Sequence, residues 1–252
     1  MTSRFRNLEK IEFVVTDACS GNCRHCSAGD HKRSGMRIDK TIASEIVKKV
    51  AKNYKIKTVM AFGGEPLLCP EVVFSIMSAA RDVGVEHRQV ITNGYFSSVD
   101  KTLDEVALML KECGVTDLRL SADAFHQEFI PLDRVKLFAL KLLECGVPSA
   151  IQPAWLVSRT DKNKYNLETQ AIVDELKAIG LHEASGNVVF PEGNAKKYLS
   201  EYFVGNEVKN PYVEDPKNIR CLSINYNGDV LDSNVYRDGI LSIIKKYDKT
   251  PL

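Results

Sequence analysis

The hydrophobic pattern of the chain alternates between short apolar runs and longer segments whose apolar residues recur at helical spacing. The short runs predict strands, which lie at 11–16, 57–62, 88–92, 117–121, 150–157 and 187–190. The segments between them predict helices, one beginning after Asp39 and others at 70–83, 100–113, 132–145 and 167–179. Asp39 and Asp100 stand where N-cap residues are expected. Strands therefore recur roughly every 30 residues, the length of a βαβ unit.

This alternation predicts an α/β fold in which parallel strands, with helices outside them, form a sheet that curves like part of a barrel. After residue 190 the pattern changes, and the elements expected there are a short helix at 195–203, a polar linker at 206–218, a hairpin at 222–231 around Asn227-Gly228 and a last helix at 239–247. We therefore divide the chain into a core at 1–195 and a C-terminal extension at 196–252 that covers the open side of the barrel.

Composition narrows the class of protein. At 252 residues the chain can bury one sizeable core. Its 34 basic and 33 acidic residues give a net charge of +1, which does not indicate a nucleic-acid partner. Neither a signal peptide nor an apolar run of membrane-spanning length is visible. Seven cysteines, three of them clustered, indicate a metal site in a reducing compartment rather than a disulfide framework, so a cytoplasmic location is expected.

The clustered cysteines are Cys19, Cys23 and Cys26, and they follow the first predicted strand with the spacing C-x3-C-x2-C. Soft sulfur ligands so close in sequence converge on zinc, copper(I) or an iron–sulfur cluster. Structural zinc sites close with four ligands, whereas three cysteines leave one iron of a cluster free for a non-protein ligand. A zinc loop with Cys23 and Cys26 as half of the site is the alternative, although the sequence lacks a second pair of ligands at zinc-like spacing.

The motif resembles the signature of the radical S-adenosylmethionine (radical SAM) superfamily. This resemblance implies a partial (β/α)6 barrel with its active site at the carboxyl ends of the strands. It also implies that the three cysteines hold a [4Fe–4S] cluster, whose free iron binds the amino and carboxylate groups of S-adenosylmethionine. Reductive cleavage would then give a 5′-deoxyadenosyl radical that abstracts hydrogen from a substrate. His25 stands where the family usually has an aromatic residue, and its flat ring is expected beside the adenine.

Gly63-Gly64-Glu65-Pro66 follows the second predicted strand and matches the Gly-Gly-Glu-Pro element of the same family. Glycines let backbone amides and carbonyls approach a small ligand closely. By resemblance, the backbone of Gly63 and Gly64 and the side chain of Glu65 hold the amino group of S-adenosylmethionine. Alone, these residues would indicate only a turn, but together with the cysteine motif they indicate a cofactor site.

Polar residues also follow the third and fourth predicted strands. Ser121 and Asp123 stand where related enzymes bind the ribose or the methionine carboxylate, so the resemblance implies that both contact the cofactor. His126 is a candidate acid–base group because imidazole titrates near neutral pH, and a purely structural role is its alternative. Asn93 is expected to face the pocket, although it can also simply form a turn. On the sixth predicted strand, Val189 and Phe190 are expected to pack against the adenine or to belong to the ordinary core.

The tail resembles the start of the SPASM or twitch extension found in many peptide-modifying members of the family. The residues that carry this resemblance are 191–195 and the stretch from Cys221 through the Asn-Gly turn. Such extensions continue to a second cysteine, but no cysteine follows Cys221, so the extension looks degenerate and an auxiliary cluster is not expected. Cys221 is then either a buried remnant or, near the barrel mouth, a thiol that donates a hydrogen atom to a substrate radical.

We interpret the chain as a radical SAM enzyme. The tail favours modification of a ribosomally made peptide by epimerisation, cross-linking or another C–H transformation. The alternatives are chemistry on a sugar, nucleoside or cofactor precursor, glycyl-radical activation of a protein, and a non-catalytic iron–sulfur protein. A flavodoxin or ferredoxin is the expected reductant, and neither a nucleic acid nor a membrane is an expected partner.

Overall fold

The computed structural model of the protein describes residues 3–32, 34–206 and 208–249. The strands in these residues are Lys10–Val14 (β1), Thr58–Phe62 (β2), His87–Thr92 (β3), Asp117–Leu120 (β4), Ser149–Ile151 (β5), Ala154–Trp155 (β6), His182–Glu183 (β7), Asn187–Val188 (β8), Cys221–Ile224 (β9), Asp229–Val230 (β10) and Ser233–Asn234 (β11). The helices are Lys40–Asn53 (α1), Pro70–Asp82 (α2), Asp100–Glu112 (α3), Ala124–Gln127 (α4), Leu132–Glu144 (α5), Lys164–Ala178 (α6), Gly193–Tyr198 (α7) and Ile240–Lys249 (α8). Each helix in the described part of the chain is too short or too polar to cross a membrane.

The main sheet has the strand order β7-β5-β4-β3-β2-β1-β9. Every pairing between these strands is parallel. The helices between the strands bury their apolar faces in the same core as the strands, for example Ile46 of α1 and Phe138 of α5. The predicted α/β class and partial barrel are therefore confirmed.

The predicted strand at 150–157 is wrong in its extent, because the chain divides there between two sheets. β5 pairs with β4 in the main sheet, whereas β6 pairs with β8 in a separate two-stranded sheet. Pro153 precedes β6, and a proline has no backbone N–H with which to continue a ladder. The predicted strand at 187–190 accordingly lies outside the main sheet, and β7 occupies the edge beside β5 instead.

The tail joins the main sheet. β9 pairs in parallel with the outer edge of β1, with Cys221 opposite Lys10 and Ile224 opposite Phe13. The predicted turn at Asn227-Gly228 is present, since the Gly228 N–H donates to the Asn225 carbonyl (2.8 Å). The predicted strand pairing is wrong, because β9 pairs with β1 and β10 pairs with β11. α8 packs against α1, and its isoleucines are buried in the main core. The boundary placed after residue 195 falls within α7.

The two predicted N-caps differ in outcome. Asp39 caps α1, since its carboxylate accepts hydrogen bonds from the backbone N–H groups of Thr41 (2.8 Å) and Ile42 (3.0 Å). Asp100 is instead the first residue of α3, and its carboxylate accepts a hydrogen bond from Arg134 (2.7 Å). The prediction of a cap at Asp100 is wrong because the side chain found a partner on another helix.

The sheet brings the sequence motifs together. The cysteine loop follows β1, the glycine turn follows β2, Asn93 follows β3 and Ser121 follows β4. Because these strands are parallel, their carboxyl ends lie at one edge, which is where open α/β sheets and barrels place their ligands.

Candidate active site

Cys19, Cys23 and Cys26 lie on the loop after β1 and line one cavity at the carboxyl edge of the sheet, the inner cavity. The loop is closed at its ends by a hydrogen bond from the Cys19 N–H to the Lys32 carbonyl (2.8 Å). The Cys26 N–H donates to the Cys23 carbonyl (3.1 Å). All three cysteines are free thiols. The short spacing therefore presents three sulfur ligands to one space.

The thiols of this loop differ in acidity. Burial raises the pKa of Cys19 to about 11, and it also raises the pKa of Cys23. Burial acts in the same direction on Cys26, but the hydrogen bond and the charge of His31, together with the Ala28 N–H and His126, outweigh it and lower the pKa of that thiol. Metal centres bind the thiolate form, so a metal that occupies this site must displace these protons.

His31 belongs to the site although no sequence pattern singled it out. Its Nε2 lies 3.2 Å from the Cys26 Sγ, and its Nδ1 lies 2.9 Å from the carbonyl oxygen of Asp17. Because a carbonyl only accepts, Nδ1 carries the proton of that second hydrogen bond. The contact with Cys26 arises because the loop folds back on itself, and spacing along the sequence does not report that.

The glycine turn after β2 packs directly against the cysteine loop. The Gly64 N–H donates to the Thr16 carbonyl (2.9 Å), and the Glu65 N–H donates to the Ala18 carbonyl (2.7 Å). A Cβ on Gly64 would lie 2.0 Å from the Ala18 carbonyl oxygen, so only glycine fits there. Gly63 and Gly64 also line the inner cavity. The glycines thus allow two backbone segments to meet and leave their own backbone facing the cavity.

The Glu65 side chain does not face the cavity, which corrects its predicted role as a ligand of the cofactor amino group. It is fully buried and accepts hydrogen bonds from the Thr92 Oγ1 (2.7 Å), the Asn93 N–H (2.7 Å) and the Leu67 N–H (2.9 Å). Burial raises the pKa of Glu65 to about 7, although all three donors favour the ionised form. Glu65 joins the carboxyl ends of β2 and β3 and thereby fixes the backbone of Asn93.

Asn93 lines the inner cavity beside the cysteine loop. Its Nδ2 donates to the Ser20 Oγ (3.0 Å) and lies 3.6 Å from the Cys19 Sγ. Its Oδ1 accepts from the Tyr95 N–H (2.8 Å), which closes the turn after β3. Both alternatives raised by the sequence therefore hold, because Asn93 forms the turn and also faces the cavity.

Asp123 is fully buried, which corrects its predicted contact with the cofactor. Its carboxylate accepts hydrogen bonds from the backbone N–H groups of Phe125, His126 and Ala154, each at 3.0 Å, and from the His126 Nδ1 at 2.8 Å. These bonds make it the cap of α4 and the partner of His126. Asp123 therefore orients His126, which lines the inner cavity.

Asp123 and His126 each favour the charged form of the other side chain. Burial opposes ionisation of Asp123, but His126 outweighs it and holds the pKa of that carboxyl well below its usual range. Burial likewise opposes protonation of His126, but the Asp123 carboxylate outweighs it and raises the pKa of the imidazole. With Nδ1 held by Asp123, Nε2 of His126 is the nitrogen left for a ligand.

His25 ends a column of rings that reaches the cavity from the interior. Its ring stacks on Phe125 (centroids 4.9 Å apart, planes at 28°) and meets His126 edge-on (4.7 Å), while Phe125 stacks on Tyr165 (4.6 Å). Burial lowers the pKa of His25 to about 4, so this ring is neutral at physiological pH. A flat neutral ring in the cavity wall suits packing against a purine base.

His25, Asp123 and His126 also bring three possible metal ligands within 4.8 Å of one another. The hydrogen bonds to Asp123 already occupy the lone pairs of its carboxylate, however. A metal ion would have to displace several of them from a fully buried group. The trio therefore fits an oriented imidazole better than a second metal site.

A second space, the outer cavity, adjoins the inner cavity and shares His25, Cys26, Ile91, Ser121 and His126 with it. The residues that line only the outer cavity are Ser27, Gln152, Pro153, Ala154, Asn187, Val188, Val189, Phe190 and Tyr212. The structure thus places Ser121 at the junction of the two cavities and Val189 and Phe190 in the outer wall.

Residues 13–141 match the family model described as the Radical SAM superfamily. The chain belongs to the radical SAM superfamily. A probable GTP 3′,8-cyclase from Saccharolobus islandicus is 28% identical over 227 residues, which cover 83% of this chain and 69% of that protein. SuiB from Streptococcus suis, bound to S-adenosylmethionine, has a TM-score of 0.60 at 14% identity over 96% of this chain and 66% of that chain. The enzyme anSMEcpe with bound AdoMet has a TM-score of 0.59 at 15% identity, over 96% of this chain and 77% of that chain.

The solved structures inform on the fold of this chain, and the family model informs on its chemistry. The two solved structures show a shared fold at low sequence identity. This radical SAM chain spans about two thirds of the length of the cyclase and of SuiB. Membership of the superfamily makes it an enzyme that uses a [4Fe–4S] cluster and S-adenosylmethionine.

The inner cavity fits both groups. Three soft sulfur atoms are the donor set that a [4Fe–4S] cluster with one free iron requires. The backbone of Gly63 and Gly64, the amide of Asn93 and the hydroxyl of Ser121 surround the space next to those sulfurs. When bound, the pair supplies reductive cleavage of S-adenosylmethionine, which allows hydrogen abstraction from an unreactive C–H bond.

Cys221 lies at the opposite end of the sheet, which corrects its predicted place near the barrel mouth. It is the first residue of β9 and pairs with Lys10 at the amino end of β1, whereas both cavities open at the carboxyl ends. Burial, with a smaller effect from Glu12, raises the pKa of its thiol. Because the length of β1 separates this thiol from the edge at which the cavities lie, the hydrogen-donor role for Cys221 is wrong.

Proposed function

We propose that this radical SAM enzyme modifies a C–H bond of a ribosomally made peptide. The lining of the outer cavity supports this substrate class. It combines apolar side chains with the amides of Gln152 and Asn187, the hydroxyls of Ser121 and Tyr212 and the imidazoles of His25 and His126. Amides and hydroxyls complement a peptide backbone, and apolar walls complement its side chains.

His126 is the residue we assign to substrate chemistry. It lines both cavities, so it lies between the cofactor and the proposed substrate. Asp123 fixes its Nδ1 and leaves Nε2 to hold or move a proton on the substrate. Val189 and Phe190 line the outer cavity and exclude water from that step.

A nucleotide is the second candidate substrate, because the relative from Saccharolobus islandicus is named a probable GTP 3′,8-cyclase. A triphosphate carries several negative charges, and proteins bind such groups with clustered arginine and lysine side chains. Among the described residues, those lining the outer cavity include neither arginine nor lysine. The charge of the cavity therefore favours the peptide.

Deuterium transfer tests the substrate class without knowledge of the substrate. Source cells are grown in deuterated medium, and their extract is incubated anaerobically with the reconstituted enzyme, dithionite and S-adenosylmethionine. Hydrogen abstraction from an extract component puts deuterium into 5′-deoxyadenosine, which mass spectrometry measures. We expect this deuterium to disappear when the extract is first treated with a broad-specificity protease. Loss after phosphatase treatment but not after protease treatment would establish the nucleotide candidate and overturn the peptide.

Cluster binding has its own test. Anaerobically reconstituted protein should hold about four irons per chain, as one three-cysteine cluster requires. Cys23→Ala should lose this iron and the formation of 5′-deoxyadenosine, because its thiol lies in the inner cavity. Cys145→Ala, at the carboxyl end of α5, is the matched control and should keep both. Full iron content in Cys23→Ala would contradict the ligand assignment.

A flavodoxin or ferredoxin as electron donor and the SPASM-like origin of the tail stay predictions.

A further inference from the structure

The cysteine loop needs a support from outside itself. Between Cys19 and Lys32 the described backbone forms turns and bends rather than a helix or strand. One isolated β-bridge, between Ala18 and Lys32, joins the two ends of the loop. Three ligands that share one cluster must nevertheless be held within a fraction of an ångström of their binding positions. The middle of the loop, from Cys23 to Cys26, is therefore the part whose position most needs explanation.

Asn194 of α7 contacts this middle part at two points. Its backbone N–H donates to the Cys26 carbonyl (2.8 Å), and its Nδ2 donates to the Cys23 carbonyl (3.2 Å). Asn194 is only 2% exposed. Both acceptors are carbonyls of ligand cysteines, and the donor comes from an element far away in the sequence.

The residues on either side of Asn194 make this contact possible. Gly193 has a φ of +50°, and a Cβ there would lie 2.4 Å from the Ser27 carbonyl oxygen and 2.6 Å from that of Cys26. Only glycine therefore lets α7 come so close to the loop. On the exposed side, Lys197 of α7 pairs with Asp30 of the cysteine loop (3.4 Å), which adds a second contact between the two segments.

We propose that Asn194 is a positioning residue that clamps the cluster loop through the carbonyls of Cys23 and Cys26. This inference rests on the three cysteines as cluster ligands and not on the identity of the substrate. α7 follows Val189 and Phe190 in the chain, so the clamp also links the loop to the outer wall of the active site. A merely structural Asn194 would affect global stability alone, whereas a clamp acts first on the exposure of the loop thiols.

Thiol labelling of the metal-free protein tests the clamp without reference to activity. Asn194→Asp keeps the size of the side chain but replaces the Nδ2 donor with an oxygen that faces the Cys23 carbonyl. We expect alkylation of Cys23 and Cys26, followed by peptide mass spectrometry, to become about tenfold faster, as the loss of one hydrogen bond to a buried carbonyl predicts. In the reconstituted protein, iron should be lost to a chelator faster by a similar factor. Asn206→Asp removes an exposed Nδ2 donor to the Tyr202 carbonyl and should change neither rate.

Two further measurements separate the clamp from loss of the fold. Cys113 is buried in the main core, away from the loop, and its labelling rate should stay that of the parent. Lys197→Ala, which removes only an exposed ion pair, should speed labelling of Cys26 with an unchanged Tm. Equal acceleration at Cys113 in Asn194→Asp, or loop labelling at the parent rate in both variants, would overturn the proposal. Loss of iron from Cys23→Ala without any effect of Asn194→Asp would leave the cluster assignment intact and reject only the clamp.

Discussion

Asp123 receives four hydrogen bonds at the carboxyl end of β4, and two of them come from His126. A fully buried carboxylate is tolerated only when such donors replace its hydration. This arrangement favours the ionised form of the carboxylate, and the carboxylate in turn raises the pKa of the imidazole. The functional consequence is an oriented His126 whose protonation is coupled to the fold.

The first prediction concerns His126→Gln and pH. A histidine whose pKa is raised on folding stabilises the folded state fully below its unfolded pKa, near 6.5, and that stabilisation is lost as the pH rises through the higher folded value. The parent should therefore exceed His126→Gln in free energy of unfolding by more at about pH 6 than at about pH 9. Urea unfolding at both pH values measures the difference. His87→Gln, an exposed histidine on β3, controls for the substitution and should cost less than about 0.5 kcal/mol. A gap between parent and His126→Gln that widens with pH would contradict the pair.

The second prediction concerns Glu65→Gln. The new amide group would face either the Asn93 N–H or the Leu67 N–H with another donor and leave that buried N–H without an acceptor. We expect a loss of about 1–3 kcal/mol in free energy of unfolding, near the lower end because removal of the charge relieves part of the cost of burial. Denaturant unfolding at neutral pH measures it. Glu71→Gln is the control: Glu71 is a half-buried residue of α2 that pairs with Arg37, and its loss should cost about 0–1 kcal/mol in free energy of unfolding. Equal costs at the two positions would argue against a bracing role for Glu65.

At the scale of elements, the site depends on how the turn after β2 docks on the loop after β1. Two backbone hydrogen bonds join them, and Gly64 allows the approach. Neither segment contains regular structure at the contact, so the docking replaces secondary structure as the source of order. The glycine turn therefore supports the cluster loop from one side, while α7 contacts it from another.

The third prediction is that Gly64→Ala disturbs this docking. The added Cβ would overlap the Ala18 carbonyl oxygen, which belongs to the backbone and cannot rotate away. We expect a loss of about 1–3 kcal/mol in stability, together with poorer iron retention after reconstitution. Gly239→Ala is the control, because a Cβ at Gly239 would have no atom within 4 Å. It should lower the free energy of unfolding by about 0.5 kcal/mol and leave the iron content unchanged. Normal iron retention in Gly64→Ala would show that the loop holds its geometry without the turn.

At the scale of the whole molecule, the tail is part of the main sheet. β9 covers the edge of β1 that would otherwise expose unpaired backbone groups, and Leu222 and Ile224 are buried in the main core. α8 adds its isoleucines to the same core against α1. The tail therefore shares one core with the barrel, and the division after residue 195 stays a prediction.

The fourth prediction follows from that shared core. Ile224→Ala should cost about 2–5 kcal/mol in free energy of unfolding, because it leaves a cavity between β9 and β1. Ser223→Ala, the exposed neighbour on the same strand, should cost less than about 0.5 kcal/mol. Fluorescence of Trp155, on β6, and far-ultraviolet circular dichroism should report one coincident transition for the parent. Separate transitions would contradict a single cooperative core.

The sequence by itself determined what depends on short-range spacing. The C-x3-C-x2-C motif and Gly63-Gly64-Glu65-Pro66 each involve residues close in the chain, and both lie at the carboxyl ends of parallel strands, as predicted. The alternation of strands and helices predicted the α/β class, although not the division of 150–157 between two sheets. The reason is physical: hydrophobic periodicity fixes which face of an element is buried, and parallel strands bring their ends to one edge.

Only the tertiary structure decided which way the polar side chains point and how distant segments pair. Glu65 and Asp123 turn into the protein because buried backbone N–H groups need acceptors, and no pattern along the chain shows where those donors lie. Asn194 contacts the cysteine loop from α7, an element far away in the sequence. Cys221 lies beside the amino end of β1 because β9 pairs with β1 rather than with the segment next to it in sequence. Such pairings depend on contacts between residues far apart in the chain, which local spacing does not encode.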